Sequence, residues 1–210
     1  MTWISKQIKY NYSRRSEKIK YIVIHDTGNK SAGAGAANHF AYFNGGNRDA
    51  SADFFVDDHE IYCINDYHTY YTWQCGDGGG KYGITNNNSI GIEICINSDG
   101  DYNKAFASAV ELTRCLMAEL NIDANHVVRH YDASRKICPG SMAANAWTKW
   151  DEFKRLISTP PVNLEGVSDW ARDAVSWAAN RGIIKGDENG IRPTEPVTRE
   201  ELCVILKRLF

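Results

Sequence analysis

The sequence predicts an α/β fold: a mixed central β-sheet flanked by helices, with a small α-helical hairpin at the carboxyl end. Three observations carry this. Short β-rich runs alternate with stretches of helical spacing, the pattern of an α/β domain. The proline-containing stretch "STPPVN" then breaks the chain and is the expected boundary. Beyond it come two capped helical patterns around a turn. The expected organisation is residues 1–158 as a first domain, 159–163 as a linker and 164–210 as a second.

The elements follow in order. "YIVIHDTG" is a buried strand that stops at a turn, with His25 near its carboxyl end. "SAGAGAANHFAYFN" is helical at its centre despite its glycines. "ADFFVDDHEIYCI" reads as two strands around the turn Asp57-Asp58-His59-Glu60, and "SIGIEICIN" as a buried strand carrying one acid, Glu93. Phe106, Ala109, Leu112, Leu116 and Leu120 recur at helical spacing. "HVVRH" is a short strand ending at His130, and "MAANAWTKWDEFKRLI" a closing helix. After the break, Ser168 or Asp169 caps a helix whose Trp170, Ala174, Trp177 and Ala178 share a face, and Gly182 suits its C′ position. "DENG" is a turn, and Thr198 with Glu201 forms a capping box for a helix through Leu202, Ile205, Leu206 and Leu209. So small a helical pair rarely stabilises itself, so it is expected to pack on the first domain or on copies of itself.

Composition narrows the function classes. The 210 residues suffice for one core plus a small extra unit. A net charge of −2 argues against nucleic acid as the main partner. The locally basic first twenty residues read as a solvated surface segment. No span is apolar enough to cross a membrane, and no signal-peptide run follows "MTWISK", so a cytoplasmic protein is expected. Of six cysteines, Cys63, Cys95, Cys115 and Cys203 sit in apolar patterns and read as small buried hydrophobes. Cys75 stays undecided, and Cys138 lies in the polar setting "RHYDASRKICPG".

That setting raises the chemistry. Strand ends gather sites in open α/β sheets, and His25 and His130 both fall at strand ends. Two imidazoles and a thiolate make a three-ligand zinc set with a fourth position open, enough to supply hydroxide at neutral pH. The alternative is two satisfied histidines and an unrelated thiol. Glu93 is a lone acid in an apolar strand, costly to bury without a partner or a site, and would serve as general base; the alternative is a solvent-facing strand end. Lys136 could face a developing oxyanion or simply water. "GDGGGKYG" lacks the features of a phosphate loop and reads as a mobile rim loop. Asp53, Asp57 and Asp58 lack calcium-loop spacing. His39, His59, His68 and His126 read as surface or rim residues. Tyr67, Tyr70, Tyr71 and Trp73 line a sugar groove or form partial core.

Together "YIVIHDTGN", "SADFFVDD", "NNNSIGIEICIN" and "RHYDASRKICPG" resemble the zinc-dependent N-acetylmuramoyl-L-alanine amidases of the type 2 family, which includes peptidoglycan recognition proteins and many phage endolysins. The resemblance implies zinc on His25, His130 and Cys138, Glu93 as acid/base, and Lys136 stabilising the tetrahedral intermediate. It implies bacterial peptidoglycan as substrate, cut between the lactyl group of N-acetylmuramic acid and L-alanine. His39, Asp53 and Trp73 are the candidate substrate contacts. Many members carry Tyr-His where this chain has Ala52-Asp53, which shifts the proton-transfer role toward Glu93. Some relatives read Trp-His where this chain has Trp73-Gln74, a difference expected to touch substrate contacts rather than the metal.

The stretch from Val167 to Leu202 is similar to one S-layer homology motif, a family that binds cell-wall polymers. Thr198-Arg199-Glu200-Glu201 stands where that family has Thr-Arg-Ala-Glu, making Arg199 the candidate polymer contact and a secondary cell-wall polymer a second partner. Such motifs work in sets, so a homo-dimer or homo-trimer through this part is expected. The leading expectation is an endolysin held in the host cytoplasm until lysis and then acting on the cell wall. The competing ones are a non-catalytic peptidoglycan receptor, which tends to lack the cysteine, and a cell-wall anchor.

Overall fold

The structure, a computed structural model, describes residues 2–159, 163–180, 182–187 and 190–209. Pro160, Pro161 and Val162 of the expected linker, and Glu188 and Asn189 of the expected turn, lie outside them. The chain forms two compact units, Met1–Ile157 and Ser158–Phe210.

The first unit holds strands β1 (Thr2–Ser5), β2 (Tyr12–Arg14), β3 (Tyr21–Asp26), β4 (Phe54–Val56), β5 (Glu60–Cys63), β6 (Tyr70–Thr72), β7 (Ser89–Ile94) and β8 (Val127–Arg129). Its helices are α1 (Ala36–Asn44), α2 (Tyr102–Leu120), α3 (His130–Ser134) and α4 (Ala144–Ser158). Six strands make one sheet in the order β1-β5-β4-β7-β3-β8, while β2 and β6 pair separately. The sheet is mixed: β4 and β5 run antiparallel, and the other neighbours are parallel.

β3 carries β-branched residues on both faces, Ile22 and Ile24 on one and Val23 on the other, as suits a strand covered on both sides, while β7 has isoleucines on one face and Ser89, Gly91 and Glu93 on the other. Ile22, Ile24, Ile90, Ile92 and Ile94 join Phe54 and Val56 in one core with Phe106, Leu112 and Leu116 of α2 and Trp150 and Phe153 of α4. Each such side chain contributes about 1.5–3 kcal/mol by leaving water. The opposite face carries two smaller clusters. Phe55 and Tyr62 pack with Ala36, Phe40 and Phe43 of α1, and Val23 packs with Cys75, Ile84 and Ala133 of α3. Helix α2 starts on an Asp101 cap that accepts from the Asn103 and Lys104 N–H groups. Asp57 is structural: it closes the β4–β5 turn through the His59 and Glu60 N–H groups and accepts from Ala36 N–H at the start of α1.

Several local expectations change. β1 and β2 arise from the segment read as solvated surface. There Arg15 is drawn inward, donating to the carbonyls of Tyr67, Asn87 and Ser89, which replace water around its guanidinium. β8 ends at Arg129, and His130 opens α3 because Asp132 accepts from both the Arg129 backbone N–H and its guanidinium, turning the chain. Cys63, Cys75 and Cys95 are buried, but Cys115 and Cys203 are exposed, on the outer sides of their helices.

The second unit has a 3-10 turn at Asp169–Ala171, helix α5 (Arg172–Asn180) and helix α6 (Arg199–Leu209). The Gly182 N–H closes α5 on the Ala179 carbonyl at 2.8 Å. The capping box forms: Thr198 N–H donates to Glu201 Oε2 and Glu201 N–H to Thr198 Oγ1, at 2.8 and 3.1 Å. Val167, Ala178 and Ile183 are buried, whereas Trp170 is 90% exposed and Leu202, Leu206 and Leu209 are also exposed. A unit of this size has little interior to offer.

Candidate metal centre

Parallel pairing of β3 with β7 sets His25 directly opposite Glu93, so both side chains leave the same sheet face at adjacent strand ends. β8 lies on the other side of β3 and delivers His130 at the first residue of α3. The chain then returns through Lys136 to Cys138, whose carbonyl accepts from Tyr131 N–H. One ligand atom from each of His25, His130 and Cys138 lies within 4.8 Å of the others, and all three residues are buried. Cys138 Sγ stands 3.7 Å from His25 Nδ1, and the two imidazole centroids are 4.6 Å apart. Glu93 Oε1 lies 3.9 Å from His25 Nδ1.

The hydrogen bonds around these rings decide which nitrogen each one offers. The Ser89 hydroxyl donates to the Thr85 carbonyl, so its oxygen accepts from the Gln74 amide nitrogen at 2.7 Å. Gln74 Oε1 therefore faces His25, and His25 Nε2–H donates to it at 2.6 Å. Asp77 Oδ1 accepts from His130 Nε2–H at 2.7 Å. Both histidines are thus left with a bare Nδ1. That of His130 is buried with no partner among the described residues, as is Glu93 Oε2. Unpartnered buried acceptors converging beside a thiol fit a bound cation.

The electrostatics agree with that fit. Burial and the neighbouring His130 lower the His25 imidazole to about 3, so it is neutral, the form that ligates. Burial lowers His130 too, with Asp77 pulling the other way. Burial and the Glu93 carboxylate push the Cys138 thiol up to about 12, against the Asp26 backbone N–H. Burial and Asp26 push Glu93 up to about 8, against Lys136. A dication would reverse both of these upward shifts.

Other sequence-predicted positions fall differently. Asp53 is fully buried, and its carboxylate accepts from Asn65, Thr72 and the Gly91 N–H. His39 is not a rim residue either. It is buried in α1, donates Nδ1–H to the Gly35 carbonyl and stacks on Phe55. Trp73 is partly exposed, its indole N–H on Ser13 Oγ. Lys136 is exposed next to the cluster, and its charge acts on His25, His130, Glu93 and Cys138. In the second unit a cavity of about 480 Å³ is lined by Ile183, Arg192, Val197 and Val204 among others, and not by Arg199.

Sequence reasoning missed Gln74 and Asp77. The Trp73-Gln74 departure was expected to bear on substrate contacts and not on the metal, whereas Gln74 meets His25, and Asp77 sat in a loop read as mobile. That loop is clamped: residues 76–78 form a 3-10 turn, and a Cβ at Gly78 would overlap the Ala133 carbonyl of α3. Gly91 likewise makes room for Gln74, whose Cγ would lie 2.9 Å from a Cβ there. The available signal was chemical: a buried ligating histidine needs an acceptor for its second ring nitrogen.

The fold and the cluster define an α/β domain with a candidate site for one metal ion at the carboxyl ends of its parallel strands. Residues 15–141 match the family model described as N-acetylmuramoyl-L-alanine amidase, and the chain belongs to that family. Residues 164–203 match the S-layer homology domain. The N-acetylmuramoyl-L-alanine amidase XlyA of Bacillus subtilis (strain 168) is 43% identical over 137 residues, which cover 64% of this chain and 42% of XlyA. The N-acetylmuramoyl-L-alanine amidase CwlH of the same organism is 41% identical over 147 residues, covering 67% of this chain and 55% of CwlH. The chain spans about half the length of the curated relatives it matches. Among solved structures, the catalytic domain of XlyA aligns with a TM-score of 0.67 at 39% identity, over 75% of this chain and 99% of that one.

Proposed function

We propose that this chain hydrolyses peptidoglycan at the amide between the lactyl group of N-acetylmuramic acid and L-alanine, with zinc on His25, His130 and Cys138. The observation that carries this is the convergence of those three ligand atoms within 4.8 Å beside Glu93 in a chain of this family. The chemistry such an ion supplies is Lewis acidity toward a carbonyl oxygen and a lowered pKa for a water. Glu93, with one carboxylate oxygen unpartnered, takes a proton from the attacking water and passes it to the departing amine. Lys136 stabilises the negative charge that gathers on the carbonyl oxygen.

Cys138 supports the enzyme over a non-catalytic receptor, because it completes the ligand set. The second unit then anchors the enzyme on a secondary cell-wall polymer, with Arg199 as a contact, and associates into a dimer or trimer. Light scattering at micromolar concentration tests that association, and a monomer rejects it. In the cell, the proposed setting is a phage-type lytic enzyme that waits in the cytoplasm and then acts on the wall. Among the described residues no helix is long and apolar enough to cross a membrane.

The deciding experiment is mass spectrometry of purified peptidoglycan after digestion, with Cys138→Ala as control. Stem peptides beginning at L-alanine, released by the natural sequence only, are expected. Muropeptides bound but uncut would move the chain to the receptor reading.

A further inference from the structure

We infer that Gln74 and Asp77 are the positioning residues of the metal centre: each holds one histidine as its Nε2–H tautomer and so leaves a bare Nδ1 free to ligate. The inference rests on the proposed metal reading and goes beyond it, naming the residues that prepare the site before any ion arrives. Three features carry it. Both acceptors meet the same ring atom, at 2.6 Å on His25 and 2.7 Å on His130. Both are themselves fixed. The Gln74 amide is oriented by the Ser89–Thr85 relay, and the Gln74 and Cys75 N–H groups both donate to Asn86 Oδ1. Asp77 rides on the turn that Gly78 presses against α3. Finally, the two acceptors differ in charge. A neutral amide faces His25, deep in the sheet, where a carboxylate would be costly to bury. A half-exposed carboxylate faces His130, where it makes the imidazole a stronger donor to a cation.

This gives residues 74–78 a role that neither substrate contact nor loop flexibility describes. Without an acceptor at Nε2, a ring is free to rotate or to place its proton on Nδ1, and either change removes a ligand. Outer acceptors of this kind typically alter metal affinity by about 10–100-fold.

The test uses the full chain with Asp77→Ala, Asp77→Asn and Gln74→Ala, and two readouts. Zinc affinity is measured by competition with a chromophoric chelator. The ring tautomers are read in the metal-free protein from histidine 15N shifts and the Nε2-bound proton. We expect Asp77→Ala to lose the protected His130 Nε2 proton and to bind zinc about 10–100-fold more weakly. Asp77→Asn, which keeps an acceptor oxygen, should retain the proton and recover most of the affinity. Gln74→Ala should do to His25 what Asp77→Ala does to His130. Unchanged zinc affinity and unchanged ring protons in both alanine variants would overturn the inference. A natural chain that binds no zinc would overturn the metal reading instead. The metal-free spectra would still report whether Gln74 and Asp77 hold the rings, so the two failures are distinguishable.

Discussion

At the scale of single residues, the chemistry rests on buried polar groups with defined partners. His25, His130 and Cys138 stood out in the sequence as candidates, as histidines at strand ends and a thiol in a polar segment, and the family resemblance grouped them; the structure brings the three together. Gln74 and Asp77 did not stand out, because nothing in their local pattern announces a hydrogen bond to a ring some fifty residues away. Cys138→Ala should lose bound zinc and amide cleavage together, and Glu93→Gln should keep zinc and lose turnover. Elemental analysis beside the peptidoglycan assay separates the two, and a near-normal rate in Glu93→Gln would remove Glu93 from the mechanism. Asp53 makes a different prediction. Burial raises its carboxyl above the ordinary 3.8, despite hydrogen bonds from Gly91, Asn65 and Thr72 and the charge of Arg15. A raised folded value means the unfolded chain releases this proton first. Its contribution is therefore most favourable below pH 3.8 and declines as pH rises through the folded value. Measured against Asp53→Asn by denaturant unfolding, the natural chain should lose relative stability as pH rises from 3 toward neutrality (~pH 7). A pH-independent difference would show that Asp53 titrates normally.

Elements place these residues. The β3–β7 register makes His25 and Glu93 neighbours, and a slip of one residue would send one of them to the α2 side of the sheet. α3 is only five residues long, yet it begins on one candidate ligand and sends the chain back to another. The turn at residues 76–78 is tied to α3 by the Gly78–Ala133 approach and by the Asp77–His130 bond. Gly78→Ala should push that turn off α3, destabilise the chain by about 1–3 kcal/mol through overpacking, and weaken zinc binding. Thermal unfolding and chelator competition on the same variant check both effects. A variant with normal zinc affinity would show that the turn can move without releasing His130. The strand and helix patterns here were readable from periodicity. The handover from β8 to α3 was not, since it depends on Asp132 capturing Arg129 rather than on hydrophobic spacing.

For the whole molecule, every residue of the candidate centre and all three hydrophobic clusters of its sheet lie within the first compact unit. Residues 1–158 alone should therefore cleave small soluble muropeptides at close to the full chain's rate while binding purified cell walls less well. Sedimentation with walls and the released-peptide assay measure the two properties. Loss of cleavage on soluble substrate would make the second unit part of the catalytic machinery. The sequence by itself determined the α/β class and the alternation of elements, because periodicity and turn chemistry are local properties that each segment carries alone, and it supplied His25, His130 and Cys138 as candidate ligands that the family resemblance grouped. Only the tertiary structure decided that Asp53 and His39 face inward, that Arg15 is caged by carbonyls, and that Gln74 and Asp77 hold the two imidazoles. Those outcomes depend on which distant groups meet once water is excluded, and a buried polar atom takes whichever partner the fold brings within hydrogen-bonding distance.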